Sequence, residues 1–149
     1  MNQTYPHIGD NRPLDEITGI IVDEIYQTYR HYGPGLFERV YEASLAGRLK
    51  KRGLSVVRQK QIFISDEFVD GEPAFFADLE VSGKVLVELK SVEKLTNLHK
   101  KQLRTYLRLT DKVVGILVNF DCTYLKDNVT RVVNNYEGAI GFISYTDIQ

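Results

Sequence analysis

The stretch Ala77-Asp78-Leu79-Glu80-Val81-Ser82-Gly83-Lys84-Val85-Leu86-Val87-Glu88-Leu89-Lys90 closes on a run, Val85 to Lys90, that is apolar except for an acid and a base at its end. Side chains alternate along a strand, so Glu88 and Lys90 share one face while Val87 and Leu89 take the other as natural core contacts. A charge buried in that position is costly unless it is paired, hydrogen-bonded or bound to a metal. Whether Asp78 joins Glu88 depends on the turn between them. A two-residue loop at Ser82-Gly83 puts Asp78 opposite Val87, on the wrong face. A three-residue loop, Val81-Ser82-Gly83, pairs Glu80 with Lys84 and Asp78 with Leu86, so that Asp78 becomes a diagonal neighbour of Glu88 on its own face. Gly83 then holds the last loop position, where a left-handed backbone favours glycine.

Two neighbouring carboxylates repel unless a proton or a cation lies between them. Oxygen ligands of this kind suit Mg²⁺ or Mn²⁺, which keep several waters and are often completed by a substrate phosphate. Such a cation can polarise a phosphodiester and lower the pKa of water, and a lysine beside it can offset developing charge. The spacing alone leaves a second reading open, a surface salt bridge on a two-stranded hairpin, because Asp-x₉-Glu-x-Lys is a loose pattern.

These residues need elements to hold them. Met1 to Arg12 is polar and reads as a loose N-terminus, with residues 13–149 as a single domain. Pro13 suits the first turn of a helix, and Ile17, Ile20, Ile21, Ile25, Tyr26 and Tyr29 follow at helical spacing. The segment His31-Tyr32-Gly33-Pro34-Gly35 breaks that helix. A second helix is predicted from about Leu36 to Lys51 with Gly53 as its C′ residue, and Glu38, Tyr41, Glu42, Leu45 and Leu49 share one side of it. Strands are predicted over Leu54 to Ile64, Pro73 to Val81 and Lys84 to Lys90. A helix from about Thr96 to Leu109 follows, with Thr96 as N-cap. The apolar run Lys112 to Phe120 reads as a central strand buried on both faces, parallel to the strand that ends at Lys90. Two shorter strands, Val129 to Val133 and Ala139 to Tyr145, are predicted to close an α/β domain built on one central mixed sheet flanked by helices.

The 149 residues carry 43% hydrophobic and 26% charged side chains, which is ordinary for a globular domain. The single cysteine, Cys122, excludes an intrachain disulfide and reads as a small buried hydrophobe. With no signal-like start, it points to a reducing, cytoplasmic setting. The longest apolar run, Val113 to Val118, is too short to span a bilayer. Net charge is −1, so no global field attracts nucleic acid. The charge is uneven, though: seven Lys/Arg against one acid lie between Arg39 and Lys60, and six acids with no base lie between Asp66 and Glu80. A second basic cluster is Lys100, Lys101, Arg104 and Arg108. These clusters read either as solvated faces or as basic flanks around an acidic centre, which a metal-dependent phosphodiesterase requires.

Gly35-Leu36-Phe37-Glu38-Arg39-Val40-Tyr41 reads Gly-x-x-Glu-x-x-Tyr, and it resembles the signature of the bacterial GxxExxY protein family. Val87 to Leu95, Gln102-Leu103-Arg104-Thr105-Tyr106-Leu107 and Val118-Asn119-Phe120 resemble that family in the same order, over roughly Leu14 to Asn134. The family is placed in the PD-(D/E)XK nuclease superfamily, whose core runs helix, three-stranded meander, crossover helix and further strand. The resemblance implies Asp78 and Glu88 as metal ligands, with the Leu89 carbonyl as a further ligand, and Lys90 as the catalytic lysine. It implies Glu38 as the helical acid that holds Mg²⁺ or Mn²⁺ directly or through water. Gln102, with Tyr106 one turn on, would face the site from the crossover helix. Simple core packing is the alternative for Tyr41 and Tyr106.

One position departs from the pattern: Phe76 stands where an arginine is expected, which removes a phosphate contact. The expected function is a metal-dependent nuclease acting on DNA, with DNA contacts from Arg58, Lys60, Lys101, Arg104 and Tyr106. Two alternatives stand beside it: a non-catalytic module of the same fold that binds a nucleic acid or protein partner, and a hydrolase of another phosphate ester. Besides DNA, the expected partners are a second copy of the chain or another protein, and no membrane.

Overall fold

The computed structural model of the protein describes residues 10–134. Helix α1 spans Leu14–Tyr32 and helix α2 Glu38–Lys51; strands β1 (Val56–Ile64), β2 (Glu72–Val81) and β3 (Val85–Lys90) follow, then helix α3 (Asn97–Leu109), strand β4 (Val114–Asn119), a 3₁₀ turn (Leu125–Asn128) and strand β5 (Val129–Val133). The predicted strand Ala139 to Tyr145 lies outside the described residues, as does most of the segment expected to be loose. Asp10 and Arg12, at the end of that segment, are tied down: the Arg12 guanidinium donates to the Asp10 carboxylate at 2.7 Å, and Ser82 Oγ donates to the same carboxylate at 2.7 Å.

The sheet order is β1-β2-β3-β4-β5. β1, β2 and β3 form an antiparallel meander, β4 runs parallel to β3, and β5 is antiparallel to β4. The α3 crossover therefore does what the sequence pattern requires, joining two parallel central strands. One face of the sheet is covered by α1 and α2, where Ile17, Ile21, Ile25, Tyr41, Leu45 and Leu49 pack on Leu79, Val87, Leu89, Ile116 and Val118. The other face is covered by α3 through Leu103 and Leu107, which meet Ala77, Leu86, Leu117 and Val132. This second layer is thin, and it depends on close approach: a Cβ at Gly115 of β4 would stand 3.0 Å from Leu103 Cδ1.

Helix boundaries follow from local chemistry. Pro13 precedes the first helical residue rather than lying in the first turn, and its carbonyl accepts from the N–H groups of Glu16 and Ile17 at 3.0 and 3.2 Å. Helix α2 begins two residues later than predicted. Gly33 and Gly35 take positive φ angles of 68° and 97°, and Phe37 is extended, so Leu36 and Phe37 belong to the loop. At the other end Gly53, with φ 83°, is the C′ residue as expected. Its N–H bonds Lys50 O and the Leu54 N–H bonds Leu49 O, which is a Schellman closure. Tyr41 is fully buried and stacks on Phe120 with centroids 4.3 Å apart. Its hydroxyl donates to Gly33 O at 2.6 Å and accepts from Leu36 N–H at 3.1 Å. The tyrosine is a core residue that also fixes the loop leading to Glu38.

Candidate active site

The β2–β3 hairpin has the predicted odd loop length but a different register. Val81 pairs with Val85, Glu80 with Leu86 and Leu79 with Val87, so the loop is Ser82-Gly83-Lys84. Both Ser82 and Gly83 have positive φ, 54° and 64°, and Lys84 N–H closes a tight turn on Val81 O at 3.0 Å. The expected pairs Glu80 with Lys84 and Asp78 with Leu86 are therefore replaced. Continued by one rung, the observed register sets Asp78 directly across from Glu88 rather than diagonal to it.

At that rung the two strands part, and the carboxylates take over the ladder. Asp78 N–H donates to Glu88 Oε1 at 3.2 Å, and Leu89 N–H donates to Asp78 Oδ2 at 2.9 Å. The backbone N–H and C=O of one strand residue point to the same side, so the Leu89 carbonyl faces the same gap. Strict alternation of β2 also breaks here. Leu79 and Val81 lie in the α1–α2 layer, whereas Ala77 lies in the α3 layer with Phe75 packed against it, so the chain changes face at Asp78. Its carboxylate lines a cleft on the α2 side, where it accepts from the Gln59 amide at 3.1 Å.

Burial sets the electrostatics. Glu88 is 5% exposed, and desolvation followed by the neighbouring Asp78 charge pushes its pKa up to about 8. The Asp78 N–H and the Lys90 ammonium pull the other way. Asp78 is raised too, by burial first, with the Leu89 N–H, the Gln59 amide and Lys90 opposing. Tyr106, half-buried on α3, stacks on Phe75 with centroids 3.7 Å apart, and burial together with the charges of Glu88 and Asp78 raises its hydroxyl. Tyr106 thus stands on α3 within electrostatic reach of both carboxylates.

Two other expected members stand apart from the pair. Gln102 is exposed on α3 and makes no hydrogen bond to either carboxylate. Leu103 and Leu107 carry the buried stripe of α3, and Gln102 lies beside that stripe in solvent. Glu38 is exposed at the start of α2, where its Oε1 accepts from Ser91 N–H at 3.0 Å, just past the end of β3. It lines the rim of a cleft of about 400 Å³ together with Arg39, Glu42, Arg58, Gln59, Asp78 and Leu89. Among the described residues no group of three His, Cys, Asp or Glu side chains is arranged to hold a metal ion. The donors that do converge, two carboxylates and a backbone carbonyl, are all hard oxygens. A dication between them would offset the burial and the repulsion that raise Glu88, and Mg²⁺ or Mn²⁺ retains enough water to complete so small a protein set. The donor set fits such an ion.

The basic residues expected at a nucleic acid divide into two groups. Arg58 is paired with Glu42 at 3.0 Å, and Lys60 with Glu80 at 2.8 Å. Burial alone would raise Glu80, but the Lys60 hydrogen bond and the nearby Lys112 hold it below its ordinary value. Lys101 and Arg104 are exposed on α3. Phe76, at the position where an arginine is expected, is 53% exposed on β2. Sequence reasoning did not single out Glu42 and Gln59 for the site. Glu42 is a buried acid one turn after Glu38, and Gln59 has φ 49° in the middle of a strand. An acid among Tyr41, Leu45 and Leu49 on the apolar side of α2 was the available signal for the first; nothing in the residue types marks the second.

A family model described as the PD-(D/E)XK nuclease superfamily matches residues 15–132. No curated protein and no solved structure matches the chain.

Proposed function

The chain belongs to the PD-(D/E)XK nuclease superfamily, and from that premise we propose that it is a Mg²⁺- or Mn²⁺-dependent nuclease hydrolysing DNA phosphodiester bonds. We place it in the GxxExxY branch on the strength of Gly35-x-x-Glu38-x-x-Tyr41 and assign it to the cytoplasm. The observation that carries the reading is the parting of β2 from β3 at Asp78 and Glu88, with each carboxylate accepting from the opposite strand and Lys90 alongside. Asp78, Glu88 and the Leu89 carbonyl would hold the ion, and Glu38 would reach it from the cleft rim through water. When bound, the ion supplies Lewis-acid polarisation of the phosphodiester and a more acidic water. Lys90, two residues along the same face as Glu88, orients the attacking water and offsets charge that builds on the phosphate. Asp78, fixed at both oxygens by Gln59 and Leu89, keeps its geometry through the reaction. Lys101, Arg104 and Tyr106 would meet the DNA from the α3 side.

The test is a melting and cleavage series on wild type, Asp78→Asn, Glu88→Gln and Lys90→Ala in EDTA, Mg²⁺ and Mn²⁺, with single-stranded and duplex DNA. Binding to the folded state alone stabilises by about 2.7 kcal/mol at a hundredfold excess over Kd. For a domain of this size, that is a rise of roughly 5–10 °C. Asp78→Asn and Glu88→Gln are expected to lose most of that rise together with cleavage. Lys90→Ala is expected to lose cleavage and keep the rise. A wild type indifferent to both ions up to tens of millimolar would sink the proposal. It would favour a second reading, a module of the same fold that binds a partner without cutting, which the pairing of Arg58 and Lys60 with Glu42 and Glu80 also favours.

A further inference from the structure

Gln59 lies between the pairs Arg58–Leu79 and Lys60–Ala77 of the β1–β2 ladder, which sets it across from Asp78. It is one of three non-glycine described residues with positive φ, at 49°, and the irregularity falls on the same rung where β2 changes face. A left-handed backbone within a strand is strained for a residue with a Cβ, and strain of this kind persists where the surroundings over-determine it. Here the surroundings are visible. The twist turns the Gln59 side chain toward α2, where its Nε2 donates to Glu42 Oε1 and, at 3.1 Å, to Asp78 Oδ1. The other Glu42 oxygen is held by Arg58 at 3.0 Å. A chain of four side chains thus runs Arg58, Glu42, Gln59, Asp78 along the wall of the cleft.

An amide nitrogen with two protons suits this position because it can donate to two carboxylates at once. Glu42 is 5% exposed, has no direct hydrogen bond to Asp78, and bears on it through the amide. We infer that Gln59 is a positioning residue of this site: its side-chain amide bridges Glu42 and Asp78, and through it the buried Glu42 orients the Asp78 carboxylate for a divalent cation. Asp78 Oδ2 is fixed by the Leu89 N–H and Oδ1 by Gln59, so the carboxylate cannot rotate, and each oxygen keeps a lone pair for an ion. The inference rests on the metal-dependent reading above, in that the ion gives the orientation its purpose; the bridge itself can be measured without metal.

Two measurements test it. The first is the NMR signal of the Gln59 side-chain amide in metal-free protein. Both protons are expected displaced downfield from the shifts of a free glutamine amide and slow to exchange with water, moving toward the free shifts in Glu42→Gln; a wild-type amide already at the free shifts overturns the inference. The second is calorimetric titration of MnCl₂ into wild type, Gln59→Gly, Gln59→Leu, Glu42→Gln and the Gln59→Gly/Glu42→Gln pair. Glycine accepts the positive φ, so Gln59→Gly keeps the backbone and removes only the bridge, whereas leucine keeps the volume. Loss of a hydrogen bond to a charged group predicts Mn²⁺ binding about tenfold weaker in each single variant. The double variant should be no weaker than Gln59→Gly alone, because Glu42 acts through the amide. A purely structural role for Gln59 would lower the melting temperature and leave the Mn²⁺ affinity of Gln59→Gly at the wild-type value, which overturns the inference, as does a fully additive, roughly hundredfold loss in the double variant. A wild type that binds no Mn²⁺ while its amide is bridged strikes the functional reading instead and leaves the bridge supported.

Discussion

Glu88 is an acid that the fold prefers to keep protonated. Its pKa of about 8 lies above the ordinary 4.5, so between those values the folded protein holds a proton that the unfolded chain has released. Stability therefore falls as pH rises through this window: the favourable contribution is fully present below about pH 4.5 and gone above about 8. One pKa unit corresponds to about 1.4 kcal/mol, so the span is worth on the order of 3–5 kcal/mol as an upper bound. Asp78 is raised in the same direction and titrates with Glu88 as a pair. Melting measured in EDTA from pH 5 to pH 8.5 should fall by several degrees. Glu88→Gln should flatten that slope and melt above wild type at the alkaline end. A cation that needs both carboxylates ionised must displace the proton, so the metal-induced rise should grow with pH. A wild-type melting temperature independent of pH in EDTA would show that neither carboxylate carries the burial assigned to it. The same side chains show what the sequence disclosed. Glu88, Lys90 and their shared face follow from the period of a strand, and Asp78 follows from an odd loop. The change of face at Asp78 coincides with the positive φ of Gln59 across the β1–β2 ladder, which no local pattern encodes.

At the scale of elements, β3 and the residues Ser91 and Val92 that follow it decide where the carboxylates and Glu38 stand. Asn119 ends β4 across from Lys90, fully buried, and serves both backbone groups of Val92: it accepts from the N–H at 3.0 Å and donates to the carbonyl at 2.8 Å. That clamp holds the Ser91 N–H against Glu38, and Ser91 Oγ adds a bond to Leu36 O at 3.2 Å. Asn119→Ala leaves half-buried backbone groups of Val92 without their side-chain partner, which predicts a loss of about 1–3 kcal/mol in a denaturant melt. Asn119→Asp keeps the acceptor and loses the donor to the Val92 carbonyl, so it should also destabilise. If Asn119→Ala unfolds at the wild-type denaturant concentration, the clamp is not a structural element. Gly115 offers a second check on the α3 layer. Since its Cβ would meet Leu103 at 3.0 Å, Gly115→Ala should cost about 1–3 kcal/mol by overpacking. Element types and order were legible because each segment has one dominant period: β4 reads as a run of buried apolar residues and α3 as a stripe through Leu103 and Leu107. The hairpin register was not legible, because loops at 81–83 and 82–84 are both odd and both contain Gly83. The left-handed backbone at Ser82 that decides between them is open to any residue only at a strain.

The whole molecule carries net charge −1, and part of its positive charge is taken up by acids of the fold. Arg58, Lys60 and Lys112 are drawn onto Glu42 and Glu80 of the sheet and α2, while Arg52 lies against Glu24 and Arg131 against Asp15. The basic run from Arg39 to Lys60 looks like a nucleic-acid face in sequence, but in the fold part of it neutralises acids beside the cleft. Lys101 and Arg104 stand in none of these pairs and share the solvent face of α3 with Gln102. If DNA is the substrate, α3 carries its backbone contacts and they are few. Each phosphate neutralised adds a slope of roughly −0.9 in log affinity against log salt, so two or three contacts predict a slope between about −2 and −3. Binding of a short duplex to Lys90→Ala protein in Ca²⁺, at several salt concentrations, measures that slope without cleavage. Lys101→Ala and Arg104→Ala should each flatten it by about 0.9. Lys60→Ala should leave the slope alone, because that ammonium already serves Glu80, and should lower the melting temperature instead. A slope steeper than about −5 would require more contacts than α3 of one chain supplies, pointing to a homo-oligomer that brings two α3 faces onto one duplex. A slope that Arg104→Ala does not change would move the DNA away from α3, and with it the approach to Tyr106 and Glu88.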